Sequence, residues 1–212
     1  MKLRKHFLKL FFLSILLPSC SLKPQVITIE PIAIHSSKLP FITKNITVAT
    51  TDSRPTPQII GIRHENKSNI FQNMPQQIQK FFKQPEKPYI NNYENISEKI
   101  NKVAKEYLAT QGFTISDGKT LEISLESLKY ESIKKQNWYN MPRTKIRVYF
   151  TTNLKNEEGE ITYKGQHEYT IEHTHPLFQP RSNTNESQIN SALSEGIRRI
   201  FDDHNLLDAL KK

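Results

Sequence analysis

Two histidines near the end of a strand-like segment have the residue type and spacing that metal binding requires. In IEHTHP, His173 and His175 would lie on the same side of a strand, roughly 6–7 Å apart. A metal site also needs a third ligand and groups that orient the ligands, and His167 would lie about 20 Å away on an extended strand. No HExxH, CxxC or carboxylate cluster adds to the pair. We therefore predict no metal and no other cofactor, and interpret these histidines as exposed strand-end residues, with a ligand role as the alternative.

An acid, a hydroxyl and a cation stand together in the segment TDSRP. Asp52 and Arg54 could form an acid–cation pair in a binding cleft, or a turn whose side chains satisfy the nearby backbone and each other. The turn is favoured because Pro55 and Pro57 prevent a regular strand there. Ser53 has no neighbouring histidine to activate it as a nucleophile, so we predict a structural turn.

The remaining carboxylates give no catalytic pattern. Glu157, Glu158 and Glu160 fall at the tip of a predicted hairpin, where solvated charge is normal. An enzyme acting on cell-wall glycan or lipid would need two positioned carboxylates or a nucleophile with its base. The sequence shows neither, so we predict no catalytic residue and a protein that is not an enzyme.

The segment KKQNWYNMPR joins two predicted strands and carries large residues that are typical of interface centres. These candidate partner-contact residues are Trp138, Tyr139, Met141 and Arg143. The alternative is a connection whose tryptophan folds back onto the core. Phe81 and Phe82, which are flanked by lysines, could instead contact lipid headgroups.

The only cysteine, Cys20, follows directly after a short apolar segment. The apolar stretch at 10–17 is far shorter than the roughly 20 residues of a membrane-spanning helix, so residues 1–19 are predicted to be an export signal that is removed. The sequence LPSC at 17–20 resembles the lipobox of bacterial lipoproteins, with a proline where a small or β-branched residue is usual. The resemblance implies a diacylglyceryl thioether on Cys20 and acylation of the new amino terminus. The alternative is an ordinary secretory signal with an incidental cysteine.

The residue after the cysteine bears on location. In lipoproteins an aspartate there tends to retain the protein on the inner membrane, and this chain has Ser21. We therefore expect a palmitate-type lipid anchor in the outer membrane, on its periplasmic face. Each buried methylene contributes about 0.8 kcal/mol, so several acyl chains would give an almost permanent attachment.

The charge of the chain is moderately positive. Of the formal net charge of +9, four positive charges lie in the leading segment, which leaves +5 for the rest. This balance is compatible with anionic lipid headgroups or an acidic partner. No dense basic stripe with interleaved aromatics occurs, so we predict no nucleic-acid binding.

Hydrophobic periodicity indicates one domain behind a tether. Residues 20–44 are predicted to be a lipidated tether with one short strand, and residues 45–212 a single α+β domain with a polar insert at about 66–92. Alternation predicts strands around 46–48, 59–63, 120–130, 145–154 and 161–171.

Helical spacing predicts two amphipathic helices. The first is capped by Asn95 and stopped by Gly112, and the second runs from about Asn185 into the 200s, followed by a short apolar tail. A change of phase after Leu125 predicts a β-bulge. The order favours a mixed, mainly antiparallel sheet of about five strands packed with the two helices.

Several motifs occur in a recognisable order: a lipobox, TDSRP, IIGIR, a helix ending in QGF, LEISLESLKY and INSALSEGIRRIF. Together they resemble the YajG family of uncharacterised lipoproteins over most of residues 26–210. This resemblance implies an outer-membrane lipoprotein of Gram-negative bacteria. It implies no catalytic residue, because the family has no agreed biochemical function.

Three functions remain at this point. The favoured one is a non-enzymatic interaction or assembly-accessory module of the cell envelope, bound to the membrane through its lipid anchor and to an envelope protein through exposed loops and a sheet edge. The alternatives are a small-ligand or metal-binding periplasmic lipoprotein and a cell-wall-acting enzyme.

Overall fold

The computed structural model describes residues 24–32, 44–62, 89–133, 143–174 and 182–212. Residues 24–64 and 89–212 are joined into one unit, which contains every described residue. The predicted export signal, Cys20 and the segment with Phe81 and Phe82 lie outside the described residues.

Eight strands and three helices make up the described part of the chain. In order they are β1 (Gln25–Val26), β2 (Asn45–Asp52), β3 (Ile59–Ile62), β4 (Tyr89–Asn91), α1 (Ile96–Thr110), β5 (Thr114–Ile115), β6 (Lys119–Ile133), β7 (Arg143–Lys155), β8 (Ile161–Thr174), α2 (Ser182–Phe201) and α3 (His204–Lys211). The α+β class is confirmed, and five of the strands have four or more residues. Helix α3 is an addition, because the sequence analysis predicts only an apolar tail there.

Strands β6, β7 and β8 form an antiparallel meander in which β8 is the edge strand of the sheet. β7 pairs along its whole length with both neighbours, which confirms the predicted hairpin between β7 and β8. The register of β6 shifts between Leu125 and Ser127, where the predicted bulge lies. The longest pairings are therefore antiparallel, as expected from the short connections.

Strands β2 and β3 follow one another along the other edge of β6, and both run parallel to it. β2 pairs with the first half of β6 as far as Asp52 opposite Leu125, and β3 pairs with its last residues. A Cβ on Gly61 would lie 2.1 Å from the carbonyl oxygen of Tyr130, so only glycine fits this close approach. The short strands extend the sheet: β5 pairs with β2, β4 with β3, and β1 with β4.

The boundaries of α1 have local chemical causes. The side chain of Asn95 accepts a hydrogen bond from the backbone N–H of Glu98, and Asn95 Nδ2 donates to the carboxylate of Glu98 at 2.9 Å. After the helix, Gly112 adopts φ 90°, the left-handed conformation that favours glycine. Both predicted end signals are confirmed.

The helices cover one face of the sheet. Every second residue of β7 is buried, and a Cβ on Gly196 of α2 would lie 2.9 Å from the ring of Phe150. Tyr107 of α1 stacks on Phe201 of α2 with ring centroids 4.2 Å apart, so both helices share one core. The opposite face is polar and has cross-strand ion pairs: Lys155–Glu122, Arg147–Glu131 and Lys145–Glu172.

After β1, residues 28–32 are held against α2 by side chains rather than by a neighbouring strand. Asn190 accepts from the backbone N–H of Glu30 at 2.8 Å and donates to the carbonyl of Thr28 at 3.0 Å. Glu186 and Ser194, one helical turn to either side, accept from the N–H groups of Thr28 and Ile32. This stripe of polar side chains, spaced four residues apart, supplies hydrogen bonds that a strand would otherwise provide.

Candidate interaction surface

Six of the described strands have one of their ends on the same side of the sheet. Strands β3, β6 and β8 finish there, and β1, β4 and β7 begin there, because Ile62 lies opposite Tyr89 and Arg143 lies opposite both Ile133 and Thr174. The first turn of α2 is there too, since Asn185 donates to the side chain of Gln25 at 2.8 Å. We call this region the loop end, and its defining residues are Gln25, Ile62, Tyr89, Ile133, Arg143 and Thr174.

Of the four predicted partner-contact residues, the structure describes Arg143, which lies at the loop end. Arg143 is exposed at the first position of β7. Trp138, Tyr139 and Met141 lie outside the described residues, in a connection that leaves at Ile133 and returns at Arg143. Cys20 also lies outside them, four residues before Pro24, from which the chain enters β1.

The predicted histidine pair is split between described and undescribed residues. His173 lies opposite Thr144 next to the loop end, and its Nε2 is buried without a hydrogen-bond partner among the described residues. His175 lies outside the described residues. Within the described ranges, no group of three or more His, Cys, Asp or Glu residues is placed to hold a metal ion.

Asp52, Ser53 and Arg54 lie beside the bulge of β6. Ser53 donates its backbone N–H to the carbonyl of Leu125 at 3.0 Å. Arg54 is 6% exposed and donates to both carboxylate oxygens of Asp52, at 2.7 and 2.6 Å, and to the carbonyl of Pro57 at 2.7 Å. The buried arginine therefore joins the two sides of the connection between β2 and β3. This is the arrangement of a turn whose side chains bind one another.

A polar cluster that the sequence analysis missed lies between the sheet and α3. Tyr163 Oη donates to Oδ2 of Asp203 at 2.6 Å and lies 3.4 Å from Nε2 of His167. The same Nε2 is hydrogen-bonded to Oγ1 of Thr152 at 3.1 Å. A Cβ on Gly165 would lie 2.0 Å from Tyr163 Oη, so the tyrosine can reach across only because this residue is glycine.

Burial and hydrogen bonding shift the pKa values of this cluster in definite directions. Burial lowers the pKa of His167, against an opposing attraction from Asp203, so the imidazole is held neutral. Burial and the hydrogen bond to Asp203 raise the pKa of Tyr163, which remains protonated. Burial by itself would raise the pKa of the Asp203 carboxyl, but hydrogen bonds from Tyr163 and from two backbone N–H groups of α3 lower this pKa overall. The cluster thus joins the N-terminus of α3 to β8 through hydrogen bonds, which is a structural role.

The opposite end of the sheet, which we call the hairpin end, is where β2, β6 and β8 begin and β7 finishes. Asn156 and Glu160 close a tight turn there with a backbone bond of 2.9 Å, and Gly159 adopts φ 86°. Lys44 and Lys119 donate to carbonyl groups in the last turn of α3, where cations are favoured by the helix dipole. The described residues at this end are therefore joined by a tight turn and by hydrogen bonds between distant parts of the chain.

Two surface grooves accompany α1 and α2. The first, of about 470 Å³, lies between β2 and α1 and is lined by Thr50, Ser97, Glu98, Asn101, Lys102 and Lys105. The second, of about 370 Å³, lies on α2 beside residues 30–32 and Tyr169. Both are lined mainly by polar side chains, unlike a typical small-molecule site.

Strand β8 forms the edge of the meander. Its backbone faces outward at Glu168, whose carbonyl accepts from Arg199 of α2 at 3.2 Å. The Arg199 guanidinium also lies 4.9 Å from the ring centroid of Tyr169. One arginine thus covers part of an edge that extends over 14 residues.

Comparisons with known proteins place the chain among lipoproteins. A family model described as "Uncharacterized lipoprotein" matches residues 76–211. A comparison with curated proteins gives no match. In the part of the chain that the structure describes, no helix has the length and apolar character needed to cross a membrane.

The chain is similar to several solved structures, some of which are bacterial lipoproteins. A protein from Xanthomonas campestris is 8% identical, with 90% of this chain and 99% of that one covered and a TM-score of 0.49. Rare lipoprotein B from Shewanella oneidensis is 11% identical over 79% and 98% of the two chains, with a TM-score of 0.44. A minor lipoprotein from Acinetobacter baumannii is 10% identical over 80% and 96%, with a TM-score of 0.42. At these identities and TM-scores the similarities carry no argument about function.

Proposed function

The chain belongs to this family of uncharacterised lipoproteins, as its motifs predict, and we propose that it is an outer-membrane lipoprotein that binds another envelope component without catalysing a reaction. The observation that carries the proposal is the convergence at the loop end. Gln25, at the start of β1, lies there together with Ile133 and Arg143, the described residues that flank 134–142. The described residues that lead to the proposed anchor and to the proposed recognition segment therefore belong to the same end of the domain.

The anchor is Cys20 and its lipobox. Acyl chains on this residue hold the mature chain on the periplasmic face of the outer membrane, with Ser21 consistent with release from the inner membrane. Several acyl chains make attachment durable, whereas a single chain gives only reversible binding.

The recognition surface is the loop end together with the edge of β8. Arg143 is exposed and has the planar donor geometry that interface centres use. Trp138, Tyr139 and Met141 supply the apolar contacts in the connection before it. Along β8, outward-facing backbone groups can pair with an extended segment of a partner.

The polar groups of the described domain support binding rather than catalysis. Tyr163, His167 and Asp203 form a partly buried cluster of titratable side chains, and their bonds join β8 to α3. The shifts in their pKa values hold the tyrosine protonated and the imidazole neutral. A general acid–base pair would instead need groups that titrate near the working pH.

Palmitate labelling combined with membrane fractionation tests the anchor. Wild-type protein should incorporate label and sediment with the outer membrane, and Cys20→Ala should lose both properties. Labelling that survives in Cys20→Ala, or a freely diffusible unmodified chain by mass spectrometry, would overturn the proposed anchoring.

Crosslinking in intact envelopes tests the binding role. Wild-type protein should yield a discrete crosslinked partner, and Trp138→Ala together with Arg143→Ala should reduce its yield. The matched control is Lys102→Ala, an exposed substitution on α1 outside this recognition surface. Equal yields from all variants, or turnover of peptidoglycan or phospholipid by the purified protein, would contradict the proposal.

A further inference from the structure

We propose that the edge strand β8 pairs antiparallel with β8 of a second copy of this chain, around a two-fold axis that passes beside Gln166. The pairing joins two copies into one continuous sheet. It rests on the proposed function, which places β8 in the recognition surface, and it identifies the partner of that edge as a second copy. Three features of the described residues support it: the length of the edge, the direction of its backbone groups and the order of its side chains.

Strand β8 forms a long edge without the usual protection against pairing. It extends over 14 residues, and among the described strands it pairs with β7 alone. The strands at the other side of the sheet, β1 and β5, have two residues each. Edge strands are commonly kept short, or are interrupted by a proline or a bulge, because their unpaired backbone groups can pair with another chain. Residues 163–174 contain neither a proline nor a shift of register, so β8 offers a continuous template.

Alternate residues of β8 direct their backbone groups away from β7. In an antiparallel sheet, successive residues of a strand point their N–H and C=O groups to one neighbour and then to the other. The carbonyl of Glu168 accepts from Arg199 of α2 and therefore faces outward. The outward residues in this part of the strand are Lys164, Gln166, Glu168 and Thr170, and all four side chains are exposed. Their backbone groups face the position that a further strand would occupy.

The order of charges along β8 selects a register centred on Gln166. A two-fold axis beside this residue places residue 164 of each copy opposite residue 168 of the other. Lys164 then lies opposite Glu168 twice. Of the two-fold registers centred on residues 164–170, this is the one that forms opposite-charge pairs without placing like charges opposite each other. Opposite charges across two strands stabilise their pairing, and like charges destabilise it.

The same register also matches the side chains that face the helices. Tyr163 of each copy lies opposite Tyr169 of the other, and both tyrosines are partly buried against the core. Aromatic pairs across neighbouring strands are favourable. Gly165 lies opposite His167, so the residue without a side chain faces the imidazole. Both faces of the paired strands are therefore complementary in one register.

The charges that this pairing uses are not ion-paired within the described part of the chain. On β7, Lys164 lies opposite Asn153 and Glu168 lies opposite Tyr149, and both of these residues are neutral. The Glu168 carboxylate accepts a long hydrogen bond of 3.5 Å from Thr170. The cross-strand ion pairs of this face join other residues. A second copy supplies the opposite charges that β7 does not.

Arg199 lies over this edge but does not prevent the pairing. Its hydrogen bond to the carbonyl of Glu168 is exposed and 3.2 Å long. A carbonyl oxygen has two lone pairs, so it can accept from Arg199 and from a second strand together. The guanidinium is also held 4.9 Å from the ring centroid of Tyr169. It can therefore remain at the margin of the paired strands.

Thiol crosslinking of the full-length mature protein in detergent micelles tests the register. Gln166→Cys places its thiol beside the two-fold axis, with the two Cα atoms about 5.5 Å apart. Thr170→Cys is the matched control, because residue 170 lies opposite residue 162 and the two Cα atoms are about 27 Å apart along the strands. A short homobifunctional thiol reagent should give a covalent dimer from Gln166→Cys. It should give none from Thr170→Cys or from the wild type, whose only cysteine is Cys20.

Two results of this experiment would contradict the pairing. Equal yields of covalent dimer from both introduced cysteines would overturn the register. Failure of Gln166→Cys to give any covalent dimer, at concentrations where the protein is folded, would overturn the pairing itself.

Charge exchange tests the contribution of the two ion pairs. Lys164→Glu and Glu168→Lys each place like charges opposite each other at both pairs, so each should raise the dissociation constant of the dimer roughly tenfold or more. The double variant restores opposite charges and should return the constant to near the wild-type value. Sedimentation over a dilution series in micelles measures these constants, and circular dichroism confirms that each variant is folded.

Lys102→Glu, an exposed substitution on α1, is the control for the change in net charge and should leave the dissociation constant unchanged. A folded double variant that stays as weak as the single variants would overturn the proposed register. An unchanged constant in both single variants would overturn it as well.

The fate of the wild-type protein separates the pairing from the proposed function. A wild type that is monomeric in micelles, yet still crosslinks to a different envelope protein through the Arg143 region, would overturn the pairing and leave the proposed function standing. Capture of a different protein by Gln166→Cys in intact envelopes would likewise assign the β8 edge to that protein and overturn the pairing. A dimer that forms while no other envelope component is recovered would support the pairing and contradict the proposed function.

Discussion

Two buried polar groups stabilise this domain, and they are built in different ways. In the turn after β2, Arg54 binds Asp52, two residues away in sequence. In the cluster below α3, Tyr163 binds Asp203, which lies 40 residues further along the chain. The first group closes a local connection, whereas the second joins a strand to a helix.

In both groups an aspartate accepts hydrogen bonds from a partly buried side chain, once within a local turn and once between distant elements. Arg54 carries a full charge that is compensated by one carboxylate and one carbonyl. Removing Arg54 therefore leaves the Asp52 carboxylate without a partner. The cluster around Tyr163 divides its bonds among a neutral imidazole, a hydroxyl and a carboxylate that also caps α3. A charged pair therefore concentrates stability in one contact, and a network distributes it over several.

Arg54→Ala should give the largest effect. It leaves the Asp52 carboxylate, 14% exposed, without its partner, and breaking a buried ion pair costs about 3–5 kcal/mol in the free energy of unfolding. Urea denaturation measures the loss. The matched control is Arg147→Ala, whose pair with Glu131 is 44% exposed on each side and should cost less than about 1 kcal/mol. Equal losses would mean that the turn is not held by its buried pair.

Asp203→Ala should come next, with a loss of roughly 2–3 kcal/mol, because it removes the N-cap of α3 and leaves the Tyr163 hydroxyl unsatisfied. Asp202→Ala, which removes only a surface pair with Arg198, should cost about 0.5 kcal/mol. A double-mutant cycle with Tyr163→Phe should show strong coupling. Additive losses would argue that the cluster is not one network.

Asn190→Ala should have a smaller effect of about 1 kcal/mol, since its two bonds to residues 28–30 are exposed to solvent. Hydrogen exchange at the amide of Glu30 should become faster, while Ser191→Ala, one residue further along α2, should leave it unchanged. Protection of Glu30 that is unaffected by Asn190→Ala would show that tertiary side-chain bonds do not hold this segment.

The smallest effect should be a dependence of stability on pH through His167. Its pKa lies below the ordinary value of 6.5 in the folded state, so the unfolded chain binds more protons in acid. Stability should therefore be complete above pH 6.5 and decline as the pH falls through that value towards the lower folded pKa. Denaturation midpoints across this window measure the decline, and His167→Gln should lessen it. An identical pH profile in the variant would exclude His167 as the cause.

Local structure was predictable where the causes are a few residues apart. The caps of α1 at Asn95 and Gly112 follow from side-chain bonding and from a backbone conformation that favours glycine. The bulge after Leu125 follows from the period-two burial of a strand. His167 shares the inward parity of Tyr163, so its burial could have been inferred from alternation.

The partners of these residues were not predictable. Asp203 meets Tyr163 only because α3 folds back onto β8, and the sequence analysis predicts only a short apolar tail at α3. Residues 28–32 bind α2 through side chains rather than through a strand, which no alternation pattern indicates.

The sequence by itself determined the long strands β6, β7 and β8, the helices α1 and α2, the family, and the sole cysteine at position 20. Periodicity, caps and motifs act over a few residues and are readable without coordinates. Only the tertiary structure decided that β2 and β3 run parallel to β6, and that β1, β4, β7 and the start of α2 come together at the loop end. The physical reason is that strand register and helix packing depend on contacts between distant residues, which minimise exposed apolar surface over the whole sheet rather than within any one segment.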